Sequence, residues 1–71
     1  MSFYDDMNKA KTRIRTTFLP IVENGGTVDL EQIFYDLDKL GISYSEKGII
    51  KYVTRACNIE GYSFDGERIN K

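Results

Sequence analysis

The chain has 71 residues, 41% of them hydrophobic, with a formal net charge of −1, one cysteine and no histidine. Those figures describe one small domain, residues 1–71, near the lower limit for folding on a single apolar core. They set aside a disulfide framework, a histidine- or cysteine-based metal site and the strongly basic coat of a non-specific polyanion binder.

The opening "MSFYDDMNKAKTR" lacks the apolar run of a signal peptide. No stretch approaches the roughly 20 apolar residues of a membrane span, so a cytoplasmic protein is expected. The first helix is expected from Asp5 or Asp6 to Val22. Met7, Ala10, Ile14, Phe18 and Ile21 step by three and four residues and build one apolar stripe, and the two aspartates suit the positive N-terminal end. Pro20 lacks a backbone donor and disfavours helix at Leu19, so the helix ends or kinks there. Lys9, Lys11, Arg13 and Arg15 split to both flanks of the stripe and read as solvated surface.

Asn24-Gly25-Gly26 breaks the helix, and Thr27-Val28 reads as a short extended segment. Asp29 is the next N-cap, with Gln32 as the returning partner of a capping box. Leu30, Ile33, Phe34, Leu37 and Leu40 then form the cleanest amphipathic pattern in the chain, closed by Gly41. A third helix follows within a few residues. Ser43 paired with Glu46 and Ser45 are alternative caps, and the sequence does not choose between them. The helix runs to Cys57 or Asn58. Ile49, Ile50, Val53, Ala56 and Cys57 gather on one side, with Cys57 expected as inert packing. Tyr44, Lys47, Gly48, Lys51, Thr54 and Arg55 gather on the other, a face without a single acid. Gly48 costs about 1 kcal/mol relative to alanine inside a helix. Its presence asks for either a close approach at that point or a loosely begun helix.

In "IEGYSFDGERINK" the Asp65-Gly66 pair between extended residues is a hairpin signal. A two-residue turn there opposes Phe64 to Glu67, Ser63 to Arg68 and Tyr62 to Ile69. Tyr62, Phe64 and Ile69 then share a core-facing side, and Val28 joins the same small sheet. The fold class expected is α+β, mainly α: three helices and a C-terminal β-hairpin.

Two helices joined by a short glycine turn form a helix-turn-helix unit, and a hairpin straight after it is a wing. Through "TVDLEQIFYDLDKLGI", "SEKGIIKYVTRA" and "GYSFDGERI", with "LGIS" at the turn, the chain resembles the winged helix-turn-helix superfamily from about residue 5 to residue 71. It departs in two extra residues, Tyr44 and Ser45, before the third helix, and in the acidity of the second helix.

The resemblance implies that the third helix enters the major groove of duplex DNA. Lys47, Lys51 and Arg55 stand in one row at i, i+4 and i+8. Arg55 would grip guanine in a bidentate fork and the lysines would meet phosphates or bases. Tyr44 and Thr54 would add hydrogen bonds, and Arg68 would reach out from the wing. Glu31, Asp36 and Asp38 on the second helix would oppose a nearby phosphate backbone. The function implied is that of a transcriptional regulator or nucleic-acid-associated accessory factor. A lone monomer would bind weakly, and tight binding would need a homodimer or a larger assembly.

The alternative is a protein-interaction subunit of replication, transcription or membrane-remodelling machinery, with Tyr35 and Tyr52 as anchors. An enzyme is not expected. No nucleophile stands beside a base, and no phosphate-binding glycine loop or metal-ligand cluster is visible. Neither a cofactor nor a small-molecule substrate is therefore anticipated.

Overall fold

The computed structural model describes residues 3–71. Its first helical run starts slightly earlier than the aspartates suggest, as α1 (Phe3–Arg13). It continues without a break through a π-helical turn, Ile14–Phe18, into α2 (Leu19–Glu23). The π turn is the answer to Pro20. In a regular α-helix the proline ring would clash with the carbonyl four residues back and leave it without a donor. Here the Leu19 N–H instead bonds the Ile14 carbonyl, five residues back, and Pro20 falls in the first turn of α2, where a missing N–H is tolerated.

The extra residue in that turn also corrects the predicted stripe. Met7, Ala10, Ile14 and Phe18 are buried as expected, but the face then advances by one position. Leu19 and Val22 go inward, while Ile21 is 42% exposed. A π turn holds more residues per turn than 3.6, so the three-and-four spacing that led to Ile21 no longer points at the core.

After the Asn24–Gly26 break come β1 (Val28–Asp29) and α3 (Leu30–Lys39). The expected capping box forms, with Gln32 Oε1 accepting the Asp29 N–H at 2.8 Å. Leu30, Ile33 and Leu37 are buried and Phe34 is half-buried. Leu40 is a further correction. It is the C-cap, and Gly41, in the left-handed region at φ +71°, turns the chain away before another element can cover it. α4 (Glu46–Glu60) packs Ile49, Val53 and Cys57 inward and ends two to three residues later than expected, at Gly61. Ile50 lies at the edge of its apolar arc and is exposed.

The hairpin consists of β2 (Ser63–Phe64) and β3 (Arg68–Asn70). The sheet is antiparallel in the order β1-β3-β2, with Ile69 opposite Val28 on one side and Phe64 on the other. This is not the predicted register, which set Tyr62 against Ile69 and Phe64 against Glu67. Asp65 is the cause. Its Oδ1 accepts both the Glu67 and the Arg68 N–H at 2.9 Å, so Asp65 sits at the corner and the turn centre moves to Gly66-Glu67. The slip is two residues, and strand faces repeat every two. Tyr62 and Ile69 therefore still face the core, with Phe64 half-buried beside them. Leu30 N–H donates to the Glu67 carbonyl at 2.7 Å, which ties the start of α3 to the hairpin turn. The fold is mainly helical α+β with a small three-stranded antiparallel sheet, consistent with a winged-helix-like layout.

The hairpin is also tied to the first helical run. The Tyr62 hydroxyl donates to Glu23 Oε2. That bond, helped by burial, pushes the phenol up to about 12, and it draws the Glu23 carboxyl below its ordinary value with help from Lys71. A raised folded pKa means the Tyr62 contribution to stability is full below the unfolded value near 10. It is lost as pH rises through about 12. The depressed Glu23 acts oppositely: its contribution is present above the unfolded carboxylate value and lost as pH falls through the folded one. In an ultraviolet titration of tyrosinate, one of the five tyrosines is expected to lag to about pH 12, and Glu23→Gln is expected to shorten the lag. Ionisation of the folded protein with no such lag would show that the bond does not exist in solution.

Candidate nucleic-acid interface

The candidate surface is built on α4, and its rotation is fixed at the helix's start. Ser45 is the cap: its Oγ accepts the Gly48 N–H at 3.2 Å. Glu46 is thus a first-turn acid at the positive helix end rather than a side chain curling back to Ser43. Ser43 is instead engaged through its N–H, which donates to Asp6 Oδ2 at 2.9 Å. Gly48 does not belong to the outer face assigned to it. A Cβ there would stand 3.0 Å from Met7 Cε, so the glycine lets α4 lie close against α1. The close approach is to the protein itself.

With that rotation, Lys47, Lys51 and Arg55 all project into solvent. At 1.5 Å rise per residue they stand about 6 Å apart along the helix. Among the described residues none of the three enters an ion pair or hydrogen bond. The structure therefore brings this row together as one uncompensated cationic line. Thr54 lies beside it, but its Oγ1 already donates to the Ile50 carbonyl at 2.8 Å.

Tyr44 is not part of the row. Because the cap is Ser45, Tyr44 precedes the helix, and its ring stacks on Phe34 with centroids 5.2 Å apart and planes 9° from parallel. Burial, with the Asp38 carboxylate nearby, raises its phenol. It is a packing residue between the turn and α3. Arg68 is exposed on the wing but is not free. Its Nε donates to Asp29 Oδ1 at 2.8 Å, and the pairing raises its pKa. Around it, Asp29, Glu31, Glu46 and Glu67 line the same shallow groove.

Of the acids on α3, Asp36 is neutralised by Arg13, whose Nε and Nη2 donate to its two carboxylate oxygens at 2.8 and 3.0 Å. That fork lowers the Asp36 pKa. Tyr35 is 70% exposed on α3, as expected. Tyr52 is half-buried, with Lys11 Nζ 5.9 Å from its ring centroid. Helical spacing puts the bases of the first helix on both flanks of its stripe, as solvated surface. In the fold they separate: Arg13 turns to α3, while Lys11 and Arg15 flank α4. Their i, i+4 spacing was the available signal.

Among the described residues no group of histidine, cysteine and carboxylate side chains is placed to hold a metal. Among the same residues no helix is long and apolar enough to cross a membrane. The Cys57 thiol is buried, and burial raises its pKa. No family model matches the chain, and neither a curated protein nor a solved structure matches it.

Proposed function

We propose that this chain is a small winged-helix DNA-binding protein, a transcriptional regulator or nucleic-acid-associated accessory factor, that meets duplex DNA with α4 and carries the hairpin as its wing. The observation that carries the reading is the exposed, unpaired row Lys47, Lys51 and Arg55. It lies on the second helix of a helix-turn-helix pair, the position that enters the major groove in such proteins. The reading is of a binding protein rather than an enzyme. It includes a cytoplasmic setting, with which a single buried cysteine agrees. With three cations in the row, affinity of one copy is modest, and a homodimer or larger assembly is the expected binding form.

The test is a titration of duplex DNA by fluorescence anisotropy across a salt series. Lys51→Ala is expected to weaken binding to all sequences and to reduce the salt slope by about 0.9. Arg55→Ala is expected to relax preference at one base pair, by about 1–3 kcal/mol. Parent protein that leaves duplex DNA unbound at low salt would overturn the reading.

A second reading, a protein-interaction subunit, is favoured by Tyr35. Its ring is 70% exposed on α3 beside a shallow depression shared with Phe18, Gln32 and Asp36. Aromatic anchors of this kind are enriched at interface hot spots. Under that reading Tyr35→Ala abolishes partner binding or self-association, and Lys51→Ala leaves it intact.

A further inference from the structure

α1 and α4 run side by side in the same direction, and two contacts fix the alignment. Lys11 Nζ lies over the Tyr52 ring, 5.9 Å from its centroid. One turn further along the first helix, Arg15 shares a depression with Glu60, the last residue of α4, and with Tyr62 just beyond it. Met7 against Gly48 sets the start of the same seam. On α4, Arg55 stands three residues beyond Tyr52, a neighbouring position on the helix surface. The cationic line of α4 is therefore bordered on one side by Lys11 and Arg15. Arg15 is exposed and, among the described residues, makes no ion pair.

The other border is of opposite sign. There the groove against the wing holds the carboxylates of Asp29, Glu31, Glu46 and Glu67, and its single cation, Arg68, is already paired with Asp29 at 2.8 Å. A phosphate strand lying along that side would face several carboxylates for each guanidinium. The same strand along the α1 side would meet cations first. Glu23 and Glu60 are the exceptions, at the far end of the seam beside Arg15, and Glu23 is itself engaged by Tyr62 and Lys71.

From this charge asymmetry we infer that the DNA backbone flanking the α4 groove contact is held by Lys11 and Arg15 of the first helix, and not by Arg68 of the wing. The inference rests on the DNA-binding reading above and deepens it. The wing contributes shape and closes the core, while the charged clamp lies on the opposite flank. Lys11 would remain over the Tyr52 ring as it does so, since a cation can sit over an aromatic face and keep donors for a phosphate.

The experiment compares Lys11→Ala/Arg15→Ala, Arg68→Ala and Lys47→Ala/Lys51→Ala in the full chain, by anisotropy on one short duplex across a salt series. Thermal melting is recorded for each variant. The first pair is expected to keep the parent melting temperature within a few degrees. It should weaken binding on the order of tenfold or more at low salt and lower the slope by about 1.8, two phosphate contacts at 0.9 each. Lys11→Arg/Arg15→Lys is expected to restore the slope, and Arg68→Ala to leave it unchanged. If Arg68→Ala lowers the slope by about 0.9 while Lys11→Ala/Arg15→Ala does not, the inference is wrong. Binding lost through Lys47→Ala/Lys51→Ala but untouched by Lys11→Ala/Arg15→Ala overturns this placement and spares the function. A parent that binds an oligoglutamate peptide more tightly than the duplex overturns both.

Discussion

Replacing Ile69 by alanine is expected to remove a large part of the protein's stability. Ile69 is fully buried in the middle strand of the sheet, opposite Val28 on one side and Phe64 on the other. Large-to-alanine changes at such positions cost about 2–5 kcal/mol, the removed methyl groups plus the cavity they leave. A domain of this size has little to spare. At about 0.05–0.15 kcal/mol per residue, its total stability of about 4–11 kcal/mol is of the same order as the loss. Urea unfolding followed by circular dichroism measures it directly. Ile59→Ala provides the comparison: its side chain is 75% exposed, and the change is expected to stay within about 0.5 kcal/mol. If the two variants unfold at the same urea concentration, the hairpin is an appendage and not part of the core.

The second large effect concerns binding without folding. Lys47→Ala/Lys51→Ala/Arg55→Ala is expected to melt like the parent, because all three side chains point away from the core and none is paired. Alanine is also at least as good a helix former as lysine or arginine. Its affinity for duplex DNA at low salt is expected to fall by on the order of a hundredfold to a thousandfold. The salt slope should fall by about 1.8, two phosphate contacts at 0.9, with the loss of Arg55 adding its effect at a base pair. The variant also lowers the formal net charge from −1 by three positive charges, so a control with three lysines removed from surface positions elsewhere separates local contact from general repulsion. Should the triple variant bind as the parent does, the row is ordinary solvated surface and the DNA-binding proposal fails with it.

Much of the fold was legible because its signals are local. The Asp29–Gln32 box, the glycine stop at Gly41 and the spacing of Leu30, Ile33 and Leu37 each depend on residues within one or two turns. What escaped depends on a backbone decision that shifts everything after it. The π turn before Pro20 exchanged Ile21 for Val22, and no periodicity announces an inserted residue in advance. At the hairpin the Asp65-Gly66 pair located the turn, but the double hydrogen bond to Asp65 Oδ1 chose its centre. Face assignments survived only because the slip was even.

The site divides in the same way. The row Lys47, Lys51 and Arg55 follows from helical spacing alone, whereas Tyr44 was misplaced by the open choice between two serine caps. Arg68 was legible as a wing residue but not as the partner of Asp29, a contact between residues 39 apart in sequence. Lys11 and Arg15 were visible as bases, yet nothing local says that α1 lies beside α4. Gly48 was the one clue, and its reason became clear only with Met7 next to it.

The strand order bears on how the chain reaches this state. β1 and β2 hydrogen-bond to β3 and not to each other, so there is no smaller sheet containing both of them. The β2–β3 pair closes a short loop, but joining Val28 to Ile69 closes one of about forty residues, at an entropic cost of about 3 kcal/mol. That cost falls due before the two rows of hydrogen bonds and the burial of Ile69 can offset it. Partial assemblies are correspondingly poor: helices without the hairpin leave Val28 uncovered, and a hairpin without the helices is only marginally stable in water. The small sheet thus acts as a latch that ties the C-terminal hairpin to the entry of α3 and makes the domain a single cooperative unit.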